Sequence, residues 1–207
     1  MYVDIHTHTH WPDKDITYLF NVRYGKDGTP TINNGLFSVG IHPWDAGVIT
    51  PDESFISLTH KANAIGECGL DKRCGIPLNL QERVFTQQIE LSIQLNKPLI
   101  IHCVGCYGRL LALSKSYSPH PLWIIHGCYT SPEWIASALN ESILFSIGLR
   151  KATRTKGLNM LKAIPLDRLL LETDEDTLSV KHVYKHLSLS PDKLPFVDQL
   201  ISLLHNK

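Results

Sequence analysis

The sequence predicts an α/β fold of the TIM-type (β/α) barrel kind, small and irregular near its N-terminus, and three observations carry that reading. Eight short apolar runs have strand character, helical segments separate most of them from the third onward, and the runs repeatedly finish in histidine, glutamate or aspartate. At 207 residues the chain can bury one substantial core, so a single domain over residues 1–207 is expected.

Taken in order, the candidate strands are Tyr2 to His6, Ile16 to Arg23, Leu36 to Ile41, Ala62 to Gly66, Pro98 to His102, Leu122 to His126, Ile143 to Ile147 and Arg168 to Glu172. Pro98-Leu99-Ile100-Ile101 and Leu169-Leu170-Leu171 are apolar throughout, as strands buried on both faces are. Helical features appear at Leu80 to Leu95, Tyr107 to Tyr117, Pro132 to Leu139 and Arg154 to Ile164. Ser131-Pro132 reads as an N-cap followed by proline at the first helical position, and Asn96-Lys97-Pro98 stops the long helix before the next strand. Alternating strands and helices favour parallel pairing through right-handed crossovers, with an open doubly wound sheet as the competing architecture. Neither the short link from the first strand to Ile16 nor the Gly-, Asn- and Pro-containing link from Tyr24 to Gly35 reads as a helix. The barrel is therefore expected to be small or incomplete there, with a hairpin-like excursion as one option.

Composition excludes several classes. The chain is 43% hydrophobic and 19% charged without low-complexity tracts, which argues against disorder. Lys plus Arg and Asp plus Glu number 20 each, so no global positive field recruits polyanions. The segment Met1 to His6 lacks a basic leader followed by an apolar stretch, and no run has the length of a membrane span, so a cytoplasmic protein is expected, with no membrane contact and no obligatory protein partner. Five cysteines without framework spacing suit reduced thiols, and Cys103-Val104-Gly105-Cys106 reads as incidental.

Eleven histidines stand out, several of them in apolar segments. Every strand end but the second and seventh delivers a potential ligand: His6 and His8, His42, Glu67, His102, His126 and Asp174. In a barrel these ends share one rim, and the 35 residues from Glu67 to His102 and 24 from His102 to His126 each match about one α/β unit. If His6 points inward, strand alternation turns His8 inward too, and the pair offers two imidazoles to one metal; Cys68 and Cys103 then face the surrounding helices. One such histidine alone reads as a hydrogen-bonded core residue. Apolar strands that together finish in His, Glu or Asp bury polar groups at one point, and a metal is what satisfies them.

These residues resemble a known family. Asp4-Ile5-His6-Thr7-His8, Gly40-Ile41-His42-Pro43, Ala64-Ile65-Gly66-Glu67-Cys68-Gly69-Leu70-Asp71, Ile101-His102, Ile125-His126-Gly127 and Leu171-Glu172-Thr173-Asp174 look like the ordered motif series of the TatD family of metal-dependent deoxyribonucleases in the amidohydrolase superfamily. The resemblance implies a hydrolase with two divalent metal ions, one held by His6, His8 and Asp174, the other by His102 and His126, with Glu67 bridging both. It further implies nuclease action on DNA, with D-aminoacyl-tRNA deacylation known among relatives. Glu67 and Asp174 become the catalytic carboxylates, Asp174 holding the attacking water, while Asp4 is expected to orient a ligating histidine. His42, Asp71 and Arg150 are expected behind the ligands or against substrate. Four imidazoles suit Zn or Mn better than Mg, although the resemblance implies Mg-supported activity. Two divalent cations facing two carboxylates leave a site charge of about +2, which favours an anionic substrate.

The chain departs from that pattern at three places. Val104 stands where the family commonly has arginine, Glu175 and Asp176 follow Asp174 in place of a proline-containing turn, and the first helix is absent. Candidate phosphate contacts remain in Lys72, Arg73, Arg150, Lys151 and Arg154. His10 replaces His8 if the register shifts by two, and Trp11 and Trp44 are candidates for pocket walls. Two other functions stay open at this stage: hydrolysis of carboxylic esters or amides, and a non-catalytic metal-binding module.

Overall fold

A computed structural model describes residues 1–27 and 35–205. Eight strands form one all-parallel sheet in sequence order: β1 (Tyr2–Thr7), β2 (Ile16–Arg23), β3 (Leu36–Gly40), β4 (Ala64–Asp71), β5 (Leu99–Val104), β6 (Trp123–Ile125), β7 (Ile143–Ile147) and β8 (Leu169–Leu171). An isolated parallel bridge between Thr7 and Asp174 brings β1 back to the end of β8, so the sheet curls into a nearly closed barrel. This excludes the open sheet.

The β1–β2 link is the irregular part that the sequence announces. It covers residues 8–15 without a helix, and β1 and β2 nonetheless pair in parallel from Tyr2↔Ile16 onward, so no hairpin forms there. A near-extended link of this length reaches ~25–30 Å, enough to return along a short strand without helical help. Most of the Tyr24 to Gly35 link lies outside the described residues.

The helices are α1 (Glu53–Lys61), α2 (Leu78–Leu95), α3 (Tyr107–Ser116), α4 (Pro132–Ala138), α5 (Leu149–Ala152), α6 (Thr155–Leu161), α7 (Val180–His186) and α8 (Phe196–His205). Asn96 ends α2 in the left-handed region (φ +50°), and the Ser131 side chain accepts the Trp134 N–H at the start of α4. None of these helices is long and apolar enough to cross a membrane.

Two apolar layers hold the barrel. Outward strand residues such as Val39, Ile65, Leu99, Ile101 and Phe145 pack with the helices, and Cys68 and Cys103 belong to this layer. Inward residues Ile5, Leu19, Ile100, Ile124, Leu144 and Leu170 fill the barrel, and Leu200 and Leu204 of α8 join them from the end where the strands begin. Asn63, just before β4, donates through Nδ2 to the Leu204 carbonyl at 2.7 Å and so ties that plug to the barrel wall. With one end stoppered, the polar strand ends open only at the other.

Candidate metal centre

Two register irregularities set the site. Between Asp4 and Thr7 the β1 register shifts, and Ile5 packs in the interior layer while the next residue, His6, reaches the polar rim. A second shift falls between Gly66 and Cys68, where Glu67 is the extra residue; Gly66 pairs with Ile100 and Cys68 with Ile101. The bulge turns the Glu67 side chain inward beside an inward Gly66. Only glycine suits that neighbour position, at φ +137° and with a Cβ site 2.2 Å from the Ile100 carbonyl oxygen. Asn21 on β2 holds the bulge from below, its Oδ1 accepting the Glu67 N–H at 2.9 Å.

Glu67 is the hub. Its Oε1 lies 2.7 Å from His126 Nε2, 2.8 Å from His102 Nδ1 and 3.2 Å from His42 Nε2, and its Oε2 lies 3.6 Å from His6 Nε2. Burial works to raise the Glu67 pKa, but the His126, His102 and His42 imidazoles outweigh it and hold the carboxyl well below its ordinary range. Burial likewise works against a charged His126, yet Glu67 lifts its pKa to about 9. His6 goes the other way: burial and the neighbouring His126 push it well below the usual imidazole value, so it is neutral with a free lone pair.

Among the described residues, donor atoms converge in three overlapping groups, each within 4.8 Å: His6, His8 and Glu67; His6, His126 and Asp174; His42, Glu67 and His102. All six expected ligands thus meet in one place, although His126 groups with His6 and Asp174 and not with His102. The set suits cations on the structure's own terms. Both ring nitrogens of His6 and Nδ1 of His126 are buried without a hydrogen-bond partner, a costly state that a cation relieves. His8 is one-third exposed, with Nε2 3.8 Å from Asp174 Oδ1. His10 stacks on Phe20 at 4.0 Å instead, which leaves His8 as the second histidine of the motif at the site.

Supporting contacts fix the rings. Asp71 Oδ2 sits 3.2 Å from His102 Nε2 and accepts the Trp44 indole N–H at 2.7 Å. With His102 Nε2–H given to Asp71, Nδ1 is the nitrogen that faces Glu67. Burial would raise the Asp71 pKa, but Trp44, the Arg73 N–H and His102 hold it below the usual value. His42 Nδ1 accepts the backbone N–H of Trp44 at 3.2 Å, so a neutral His42 carries its proton on Nε2 and donates to Glu67. A ligating nitrogen needs a lone pair there, and His42 therefore acts in this state as a donor beside the ligands.

One face of α2 clamps the loops that carry these groups. Gln88 Oε1 accepts the Ile41 N–H at 2.8 Å and its Nε2 donates to the Ile41 carbonyl. Two turns earlier, Gln81 does the same for Asp71 at 2.7 and 3.0 Å. On the opposite side Asp4 accepts from Thr173 N at 3.0 Å and Thr173 Oγ1 at 2.7 Å, so it fixes the residue before Asp174, and the backbone N–H of His6 also turns toward its carboxyl. Burial drives the Asp4 pKa up to about 7.

Several participants lie outside the expected ligand set. Glu172 is buried behind His126, its Oε1 3.8 Å from His126 Nδ1; burial, with Asp174 adding, raises its pKa. The two strand ends without ligands supply cations: Arg23 from β2 and Lys151 after β7 both line the cavity of about 180 Å³ above Glu67. Lys151 donates to the Gly127 carbonyl, and Gly127 sits at φ +51°, a left-handed position that glycine adopts readily. Arg150 borders a neighbouring small pocket with Asp174, while Lys72, Arg73 and Arg154 are exposed and are not among the residues lining the metal cavity. Cys103 and Cys106 are free and buried, and burial raises both thiol pKa values.

Comparison with known proteins agrees with this geometry. The chain is 34% identical over 134 residues to the human protein named 3'-5' RNA nuclease TATDN2, covering 61% of this chain and 18% of that one. It is 36% identical over 149 residues to the Cronobacter sakazakii protein named 3'-5' ssDNA/RNA exonuclease TatD, covering 66% of this chain and 56% of that one. The chain thus spans about half the length of the bacterial relatives it matches, and less of the human one. Its fold is that of the TatD homologue YjjV from Escherichia coli, with a TM-score of 0.78 and 16% identity over 100% of this chain and 98% of that one. A TatD-family hydrolase from Entamoeba histolytica superposes with a TM-score of 0.68 at 18% identity, over 83% and 73% of the two chains. The family model described as TatD related DNase matches residues 28–206, which hold β3 to β8 with Glu67, His102, His126 and Asp174, and the chain belongs to that family.

Proposed function

We propose that this chain is a divalent-metal-dependent hydrolase of phosphodiester bonds that acts on single-stranded polynucleotides. The observation that carries the reading is Glu67 at the centre of His6, His42, His102 and His126, with buried imidazole nitrogens left without protein partners. In this reading His6, His8 and Asp174 would hold one ion and His102 and His126 a second, with Glu67 available to both; Zn, Mn or Mg would meet the donor chemistry to different degrees. Bound divalent ions supply Lewis acidity to a phosphoryl oxygen and lower the pKa of water towards neutrality.

The chain's own groups do the rest. Glu67 stays anionic because the imidazoles hold it so, and neutral His6 keeps its lone pair. Asp71 fixes the ring of His102 through Nε2. Asp174, about one-third exposed at the mouth, holds the attacking water and takes its proton on a carboxylate oxygen. The names of the relatives, which include both ssDNA and RNA, support a polynucleotide substrate and widen the expectation of DNA alone.

The test is turnover by metal-loaded protein on a single-stranded oligonucleotide, bis-p-nitrophenyl phosphate and an aminoacyl ester. Cleavage of the two phosphodiesters is expected. Cleavage of the carboxylic ester alone would replace this reading with a different hydrolase, and metal without turnover would make the chain a binding module.

A further inference from the structure

One short turn presents an aromatic and a guanidinium side by side at the mouth of the metal cavity. The turn Pro43–Asp45 starts from His42 and places Trp44 outward and Asp45 inward. Trp44 is 50% exposed, the most exposed aromatic ring near the site, and lines the cavity directly. Its pose is fixed from two sides: the indole N–H is given to Asp71 at 2.7 Å, and its ring meets His42 edge-on with centroids 4.7 Å apart.

Arg23 lies beside it, its guanidinium carbon 5.4 Å from the Trp44 ring centre. The arginine is anchored by Nε alone, which donates to buried Asp45 at 2.6 Å; among the described residues its two terminal amino groups have no hydrogen-bond partner. A guanidinium held by its neck, with the fork left free beside a metal pocket, is arranged to take phosphate oxygens. An exposed, immobilised indole next to it offers the sequence-tolerant platform on which single-stranded bases stack.

We infer that Arg23 and Trp44 form a nucleotide-binding wall, on which one base of a single-stranded polynucleotide stacks while the adjoining phosphate pairs with the Arg23 fork. Asp45 is the positioning residue of this wall, acting through Arg23. The inference takes its substrate class from the nuclease reading, but its test is binding, not turnover.

The probe is an oligothymidylate carrying phosphorothioate linkages, titrated into the metal-loaded protein by tryptophan fluorescence and anisotropy over a range of salt. Binding by the unaltered protein is expected to quench a tryptophan signal that Trp44→Phe removes. Trp44→Phe and Trp44→Leu both lose the bond to Asp71, so their difference isolates the ring: the leucine variant is expected to bind about tenfold more weakly than the phenylalanine one. Arg23→Gln is expected to weaken binding about tenfold and to lower the slope of log affinity against log salt by about 0.7, the share of one phosphate on a single strand. Should Arg23→Gln unfold because Asp45 loses its partner, Arg23→Lys is the second variant, expected to weaken binding while keeping the slope.

Equal affinities for the leucine and phenylalanine variants, an unchanged salt slope in Arg23→Gln, or absence of binding by the unaltered protein would each overturn the wall. Binding with these signatures but without hydrolysis of any phosphodiester would keep the wall and remove the nuclease reading. Hydrolysis by the unaltered protein with affinities untouched by the variants would do the reverse.

Discussion

Asp174 donates its backbone N–H to the carbonyl oxygen of His6 over 2.9 Å, and its own carbonyl accepts the His8 N–H at 3.1 Å. The bond that closes the barrel between the end of β8 and β1 is therefore the bond that brings three candidate ligands together. Asp174 adopts φ +57° to make it, a left-handed conformation that aspartate and asparagine tolerate better than most residues. Fold closure and site assembly are one event here, which makes the side chain of Asp174 separable from its backbone role.

Asp174→Asn keeps the volume and the left-handed backbone and removes only the charge. Its expected effect is a fall in kcat of about 100-fold or more, from the lost proton acceptor. Far-UV circular dichroism should be unaltered. Wild-type turnover in this variant would take Asp174 out of the mechanism.

Asp71→Asn tests the support behind His102. An amide can offer its NH₂ where the carboxylate accepted from His102 Nε2 and Trp44, so the ring loses its fixed tautomer. Metal affinity measured by competition with a chelating dye is expected to weaken by about 10–100-fold, the usual consequence of removing such a partner. Unchanged affinity would mean that Asp71 serves the loop and not the ligand.

Asp4 gives the account a pH dependence. Its folded pKa is raised by burial to about 7 from an ordinary 3.8, so the native state holds that proton more tightly than the unfolded chain. The contribution is complete below about pH 4 and is lost as pH rises through about 7, at about 1.4 kcal/mol per pKa unit. In chelator, the unfolding free energy of the unaltered protein relative to Asp4→Asn should fall by on the order of 2 kcal/mol between about pH 5 and about pH 7.5. Parallel pH profiles for the two proteins would show that Asp4 is ionised throughout.

Gln88 carries a stability prediction with a functional reading attached. Gln88→Leu leaves both the N–H and the carbonyl of Ile41 buried without their partner, at an expected cost of about 1–3 kcal/mol in urea unfolding. Because Ile41 precedes His42, turnover should fall more than the small loss of folded fraction explains. An unchanged midpoint would show that water takes over both bonds.

Much of this is legible in the sequence. Strands such as β4, β6, β7 and β8 are visible because both faces are buried, which leaves near-continuous apolar runs, and polar residues at most strand ends mark the rim. The β4 strand runs on to Asp71, past the expected end at Gly66, because a strand carrying Glu67 and Asp71 does not look apolar. Simple alternation also fails where the registers shift: Ile5 and His6 both turn inward, and Asp4 meets Thr173 and the His6 backbone N–H. Helix α1 lies outside the expected set although Asp52 caps it through the Phe55 N–H, as does α8 although Val197, Leu200 and Leu204 repeat at helical spacing after Pro195. Arg23, Asn21, Gln81 and Gln88 carry no such signal, since a single polar residue in an apolar stretch says nothing about its partner until the barrel closes around it.

The direct measurement of the central claim is metal content per chain, by elemental analysis after loading and gel filtration, for the unaltered protein and Glu67→Gln. A glutamine at the hub removes the charge that faces His6, His42, His102 and His126 while nearly conserving volume. The account predicts two divalent ions per unaltered chain and loss of both in the variant. An unaltered chain that retains none, or a variant that retains two, would contradict it.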